Sequence, residues 1–156
     1  MTDLSPELQA LVNQLVAIHG EDGVCPTADD WRVILSGPSD KPVTILNLLT
    51  FKPQVQTPDG ARPGASAYRS YANGVAAAFA RVGGKRVLFG KVGHSFGLLP
   101  AAQAAIAGWD AAIVTRYPTP RALARFWLDP EFIAAHAHRI DGIERSQVLV
   151  LDESQA

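Results

Sequence analysis

The chain has 156 residues, 47% of them hydrophobic, 19% charged and 8% aromatic, with a formal net charge of −1. That length suits one domain whose core needs neither disulfides nor a structural metal, and 14 basic against 15 acidic residues without a run of either sign disfavours a nucleic-acid partner. One cysteine, Cys25, no basic-then-apolar leader after Met1, and no apolar run near the roughly 20 residues of a membrane span together lead us to expect a reduced, cytoplasmic protein with no membrane partner.

Between Ser5 and His19 the residues Leu8, Leu11, Val12, Leu15, Val16 and Ile18 recur mainly at helical spacing. Ser5 is the predicted N-cap, Pro6 suits the first helical position and Gly20 stops the helix. Thr27 caps a second short helix through Leu35, with Asp29 and Asp30 at the positive end of its dipole. Ser36 to Asp40 break it. Residues 1–40 thus read as a helical arm whose apolar stripes must dock on something.

Residues 42–49 are almost wholly apolar and read as a strand buried on both faces. Pro53, Pro58, Gly60, Pro63 and Gly64 mark residues 52–65 as a loop. A helix from Ser66 to about Val82 is predicted, with Tyr68, Tyr71, Val75, Phe79 and Val82 on its inner face. Strands follow at 85–93 and 109–117, with an Ala-rich short helix at 100–107 between them. Thr119 and Pro120 open another helix, Asp129 and Pro130 restart it through Ile140, and residues 146–151 form the last strand. The predicted organisation is an arm (1–40), a domain (41–152) and a loose tail (153–156).

From residue 42 the order is strand, helix, strand, strand, helix, strand. That is the split βαβ arrangement of a ferredoxin-like α+β fold: a four-stranded antiparallel sheet with helices on one face. The other face needs cover. A second copy, sheet against sheet in a two-fold homodimer, is the expected solution, and the arm is its rival.

Tyr68 and Tyr71 on the first core helix and the Gly83-Gly84 turn are followed by Trp109-Asp110, Arg116-Tyr117-Pro118-Thr119 and the run from Phe126 to Phe132, with Arg139 beyond. This order resembles the family known as domain of unknown function 1330, within the dimeric α/β-barrel group. The Ala-rich insert departs from that family's pattern. The resemblance implies fold and dimerisation and assigns no catalytic residue.

His136 and His138 lie two apart, so on a helix their rings diverge by about 200° and share no metal ion. Phe132, His136 and Arg139, spaced four and three, share a face. There an imidazole can move a proton and a guanidinium can hold an anionic oxygen; alternatively Arg139 caps a carboxylate or a carbonyl and His136 fills space. His94 ends the second strand, where polar residues reach clefts. Asn47 interrupts an apolar strand and either fixes a loop or lines a pocket. Arg116 shares the parity of Val114 and Ala112 and needs a carboxylate or a ligand anion. Tyr68 and Tyr71 offer hydroxyls, and Trp109 a wall. No phosphate-binding glycine loop, serine elbow, metalloprotease helix or paired-cysteine motif occurs, so no cofactor or metal is expected.

Two functional readings stay open. One is a small-molecule site lined by Asn47, Tyr68, Tyr71, Trp109, Arg116 and Arg139. By analogy with the fold group, it would serve cofactor-free proton transfer, isomerisation or oxygenation of an aromatic or enolisable substrate. His94 or His136 would be the base there, and Arg139 would hold the oxyanion. The other is a non-catalytic binding or structural dimer.

Overall fold

The computed structural model describes residues 4–21, 24–94 and 108–151. The Ala-rich helix expected at 100–107 and the tail of 153–156 lie outside these residues. In chain order the elements are α1 (Pro6–His19), α2 (Ala28–Leu35), β1 (Val43–Phe51), β2 (Val55–Thr57), β3 (Gly60–Arg62), α3 (Gly64–Gly74) and α4 (Ala76–Arg81). Then come β4 (Lys85–Lys91), β5 (Ala111–Tyr117), α5 (Pro120–Trp127), α6 (Pro130–Gly142) and β6 (Ile143–Leu151).

The helix starts lie where capping chemistry put them. The Ser5 hydroxyl accepts from the Leu8 N–H, and Gly20, at φ +73°, closes α1 by donating its N–H to the Val16 carbonyl. Thr27 and Asp30 form a reciprocal capping box on α2. Thr119 caps α5 through the Ala122 N–H, and the Asp129 carboxylate accepts from Glu131 at the start of α6.

Two expectations need correction. The loop of 52–65 contains a small hairpin, β2 against β3, closed by the Thr57 hydroxyl donating to the Gly60 carbonyl at 2.7 Å. The long helix begins at Gly64 and is interrupted at Val75, which has ψ near −2°. Gly74 just before the break is a poor helix former, and α6 passes close to it: a Cβ there would stand 3.0 Å from that of Ala135.

The sheet order is β4-β5-β1-β6, antiparallel throughout. β1 and β4 flank β5, and β5 and β6 flank β1, which is the ferredoxin-like strand order. Register puts Ile113, Asn47 and Val148 in one cross-strand row, so their side chains share a face. That face looks at the helices. Val43 and Ile45 on it pack with Leu123, Phe126 and Phe132 in the main core. Trp31 and Phe132 are almost wholly buried there, at 1% exposure each, a burial worth roughly 1.5–3 kcal/mol for such side chains.

The arm joins this same core through Val12, Leu15, Trp31 and Leu35. It extends the helical layer and therefore does not cover the opposite face of the sheet. On that face Leu46, Leu48 and Val114 are only partly buried, while Leu88, Leu149 and Leu151 are exposed. The single chain forms an open sheet, not a closed barrel.

A narrow crossing of α3 and α6 fixes the helical layer. A Cβ at Gly142 would sit 2.5 Å from the Gly64 carbonyl oxygen, and one at Gly64 equally close to that of Gly142. Lys52 threads between, its N–H donating to the Gly142 carbonyl and its carbonyl accepting from the Gly64 N–H, both at 3.0 Å.

Candidate functional site

Between the sheet and helices α3, α4 and α6 lies a cavity of about 760 Å³. That is within the roughly 300–1,000 Å³ typical of small-molecule sites. Its floor includes Asn47, Ile113, Thr115 and Ser146; Tyr68, Tyr71 and Arg139 face them from the helices, and Cys25, Trp31 and Ile34 close the end nearest the arm. Phe89 on β4 and Val148 and Val150 on β6, all exposed, line its margins.

A chain of aromatic rings runs along one wall, with Phe51, Tyr68, Tyr71, Phe79 and Phe126 in the lining and Phe132 buried behind them. Phe51 stands 5.4 Å from Tyr68, Tyr68 5.4 Å from Tyr71, and Tyr71 6.0 Å from Phe132, centroid to centroid. Phe132 continues to Phe126 at 4.8 Å, and Phe126 to Phe79 at 5.5 Å. Edge-on and tilted packing of this kind holds rings in place and offers faces and edges to an aromatic guest. Burial pushes the phenols of Tyr68 and Tyr71 upward, and the nearby Arg139 charge only partly offsets it. Both hydroxyls are therefore protonated at neutral pH and can donate.

Arg139 is the unusual group. It is 5% exposed, lines the cavity, and its Nη1 makes no hydrogen bond. Among the described residues the lining holds one acidic side chain, Asp30, and that carboxylate is occupied on the arm by the Thr27 N–H and hydroxyl, both at 2.8 Å. A buried guanidinium facing phenols and an amide is costly without a counter-charge.

Asn47, Tyr68, Tyr71 and Arg139 thus line one cavity. The other candidates stand elsewhere. Arg116 has the parity of Val114 and is exposed on the opposite face, in the row of Thr44 and Lys85. Trp109 precedes β5 outside the cavity lining, with the Arg145 guanidinium 4.1 Å from its ring centre. His94 is exposed beyond the end of β4. His136 shares the inner side of α6 but turns to the seam with the arm, stacked on Phe132 with its Nε2 3.3 Å from Cys25 Sγ. His138 is exposed. Among the described residues no histidine lines the cavity, and no group of three His, Cys, Asp or Glu side chains is arranged to hold a metal ion.

Sequence reasoning passed over Phe51, Thr115, Tyr117, Ser146 and Cys25, all of which line the cavity. Strand parity with Asn47 would have found the three on β1 and β5, once the helix-facing side was known. Nothing local marked Cys25.

No protein-family model matches the chain, and no curated protein matches it. Among solved structures it is similar to the protein of unknown function RPA0582 from Rhodopseudomonas palustris, with TM-score 0.72 and 26% identity over 85% of this chain and 98% of that one. The methylated form of RPA0582 aligns with the same score and identity, over 85% and 95%. A dimeric protein of unknown function and ferredoxin-like fold from Bacteroides fragilis aligns at TM-score 0.46 and 13% identity, over 74% of this chain and 99% of that one. Among the described residues no helix is long and apolar enough to cross a membrane.

Proposed function

We propose that this protein binds a small organic anion, an aromatic or enolisable carboxylate, in the cavity between sheet and helices. The observation that carries the reading is Arg139, a buried guanidinium with an unpartnered Nη1 and no carboxylate directed at it from the lining. The planar fork of arginine matches a carboxylate bidentately, so a ligand anion supplies a counter-charge that no described lining residue directs at it. Tyr68, Tyr71 and Asn47 add neutral donors, and the aromatic wall receives an apolar body.

The enzymatic form of this reading is cofactor-free proton transfer or isomerisation, with Arg139 and the phenols holding a developing enolate. Among the described residues no histidine stands in the lining beside Arg139 to take a proton from such a substrate, so ligand binding is the part the geometry supports best. The proposal includes a two-fold homodimer through the open sheet face, a cytoplasmic setting for the unbridged thiol of Cys25, and kinship with domain of unknown function 1330. The arm lies on the helix side, and an apolar antiparallel sheet face can meet its own copy about a two-fold axis.

Thermal shift tests the reading. Aromatic carboxylates at about 100 Kd should stabilise the chain by about 2.7 kcal/mol, a rise of roughly 5–10 °C, whereas the matching amides should give little. Equal responses to acid and amide, or none at millimolar concentration, overturn it.

A further inference from the structure

The cysteine of this chain sits at the arm's end of the cavity. Cys25 lies in the link between α1 and α2, is 7% exposed, and lines the cavity beside Trp31. Its Sγ is 3.3 Å from His136 Nε2. At that separation a thiol donates to an imidazole nitrogen, or a thiolate accepts from an imidazolium. The imidazole is wedged: Phe132 stacks on it at 5.1 Å and 28°, and the rings of His19 and Trp127 stand 5.2 and 5.5 Å away. Nε2 is thereby kept at the sulfur. Arg139 is three residues further along the same helix, a neighbouring position on its surface, and its unpartnered Nη1 belongs to a side chain lining the same cavity.

We propose that Cys25 is a nucleophile with His136 as its base, and that the pair reacts with small carboxylate-bearing electrophiles drawn in by Arg139. The charge preference, and only that, rests on the anion reading of the cavity. With an alkene conjugated to a carboxylate, the thiol proton passes to Nε2 and the sulfur pair forms a bond to the β-carbon. The π pair moves to the α-carbon, which takes the proton back from Nε2, so no oxidant or reductant is consumed. With iodoacetate the S–C bond forms as the C–I bond breaks; iodide leaves with the electron pair and the proton stays on Nε2.

Because the sequence contains one cysteine, whole-protein mass reads the adduct without mapping. The full chain, at about neutral pH, is treated with iodoacetate or with neutral iodoacetamide, beside a small free thiol. We expect iodoacetate to alkylate Cys25 at least ~10-fold faster than it does the free thiol, and faster than iodoacetamide does, although a free thiolate repels the anionic reagent. His136→Gln should slow both reagents by ~10-fold or more, while Arg139→Met should remove only the preference for iodoacetate. A native chain alkylated only after denaturation overturns the proposal. So does equal alkylation of wild type and a folded His136→Gln chain. Should His136→Gln fail to fold, the wild-type rate against the free thiol decides alone. Alkylation that depends on His136 without preferring iodoacetate keeps the pair and overturns the anion site beneath it.

Discussion

On α6, Phe132, His136 and Arg139 follow at spacings of four and three, and that shared face was legible in the sequence. Their divergence was not: docking of the arm gives His136 a neighbour in Cys25, while Arg139 is left facing the cavity. Arg116 shows the same boundary, since alternation gave its parity with Val114 but only tertiary packing decides which face is covered. If Arg139 serves a ligand rather than the fold, Arg139→Met should abolish the carboxylate-induced rise in Tm while holding or raising the Tm of the ligand-free chain. Replacing a buried charge by an apolar group of similar volume is often neutral or stabilises by about 1–4 kcal/mol. Calorimetry with and without ligand checks both halves. The tyrosines give a second test. All three, Tyr68, Tyr71 and Tyr117, have phenols raised by burial above the ordinary value of 10.0. A raised native value means that stability is fully present below pH 10 and is lost as pH climbs past it, because the unfolded chain releases those protons first. Tyrosinate absorbance should therefore appear together with unfolding, and Tyr71→Phe should flatten the alkaline fall in stability.

Helix starts were the most readable elements, because Ser5, Thr27, Thr119 and Asp129 act through hydrogen bonds to residues two or three positions on. The break at Val75 and the hairpin of β2 and β3 were hidden, the first because the close approach of α6 to Gly74 is a tertiary contact, the second because Pro and Gly content reads as loop. The crossing of α3 and α6 depends on Gly64 and Gly142, whose spacing in sequence says nothing of their meeting in space. Gly142→Ala should drive a methyl into the Gly64 carbonyl and part the hydrogen bonds through Lys52. We expect a loss of at least about 1–3 kcal/mol, the usual cost of overpacking, seen as a lower denaturation midpoint with unchanged slope. Because α3 carries Tyr68 and Tyr71 while α6 carries Arg139, the same change should weaken carboxylate binding beyond its effect on stability.

At the scale of the molecule, an apolar stripe in a sequence says that something covers it, not what. Residues 1–40 and a second copy were both eligible covers for the sheet, and the arm spends its apolar side on the helical layer with Leu123 and Phe126. Leu88, Leu149 and Leu151 are left 53%, 39% and 40% exposed on the far face, on strands at opposite edges of the sheet. Sedimentation should therefore find two-fold dimers at micromolar concentration, and Leu149→Asp combined with Leu88→Asp should yield monomers. Neither leucine belongs to the buried core, so those monomers should keep their secondary structure and a cooperative melt. The cavity makes the sharper demand. The residues of this chain that line it lie on the side of the sheet away from the proposed interface. The monomeric variant should then bind aromatic carboxylates with a Kd within a few-fold of the dimer's, and loss of binding on dissociation would show that the site is completed across the two-fold axis.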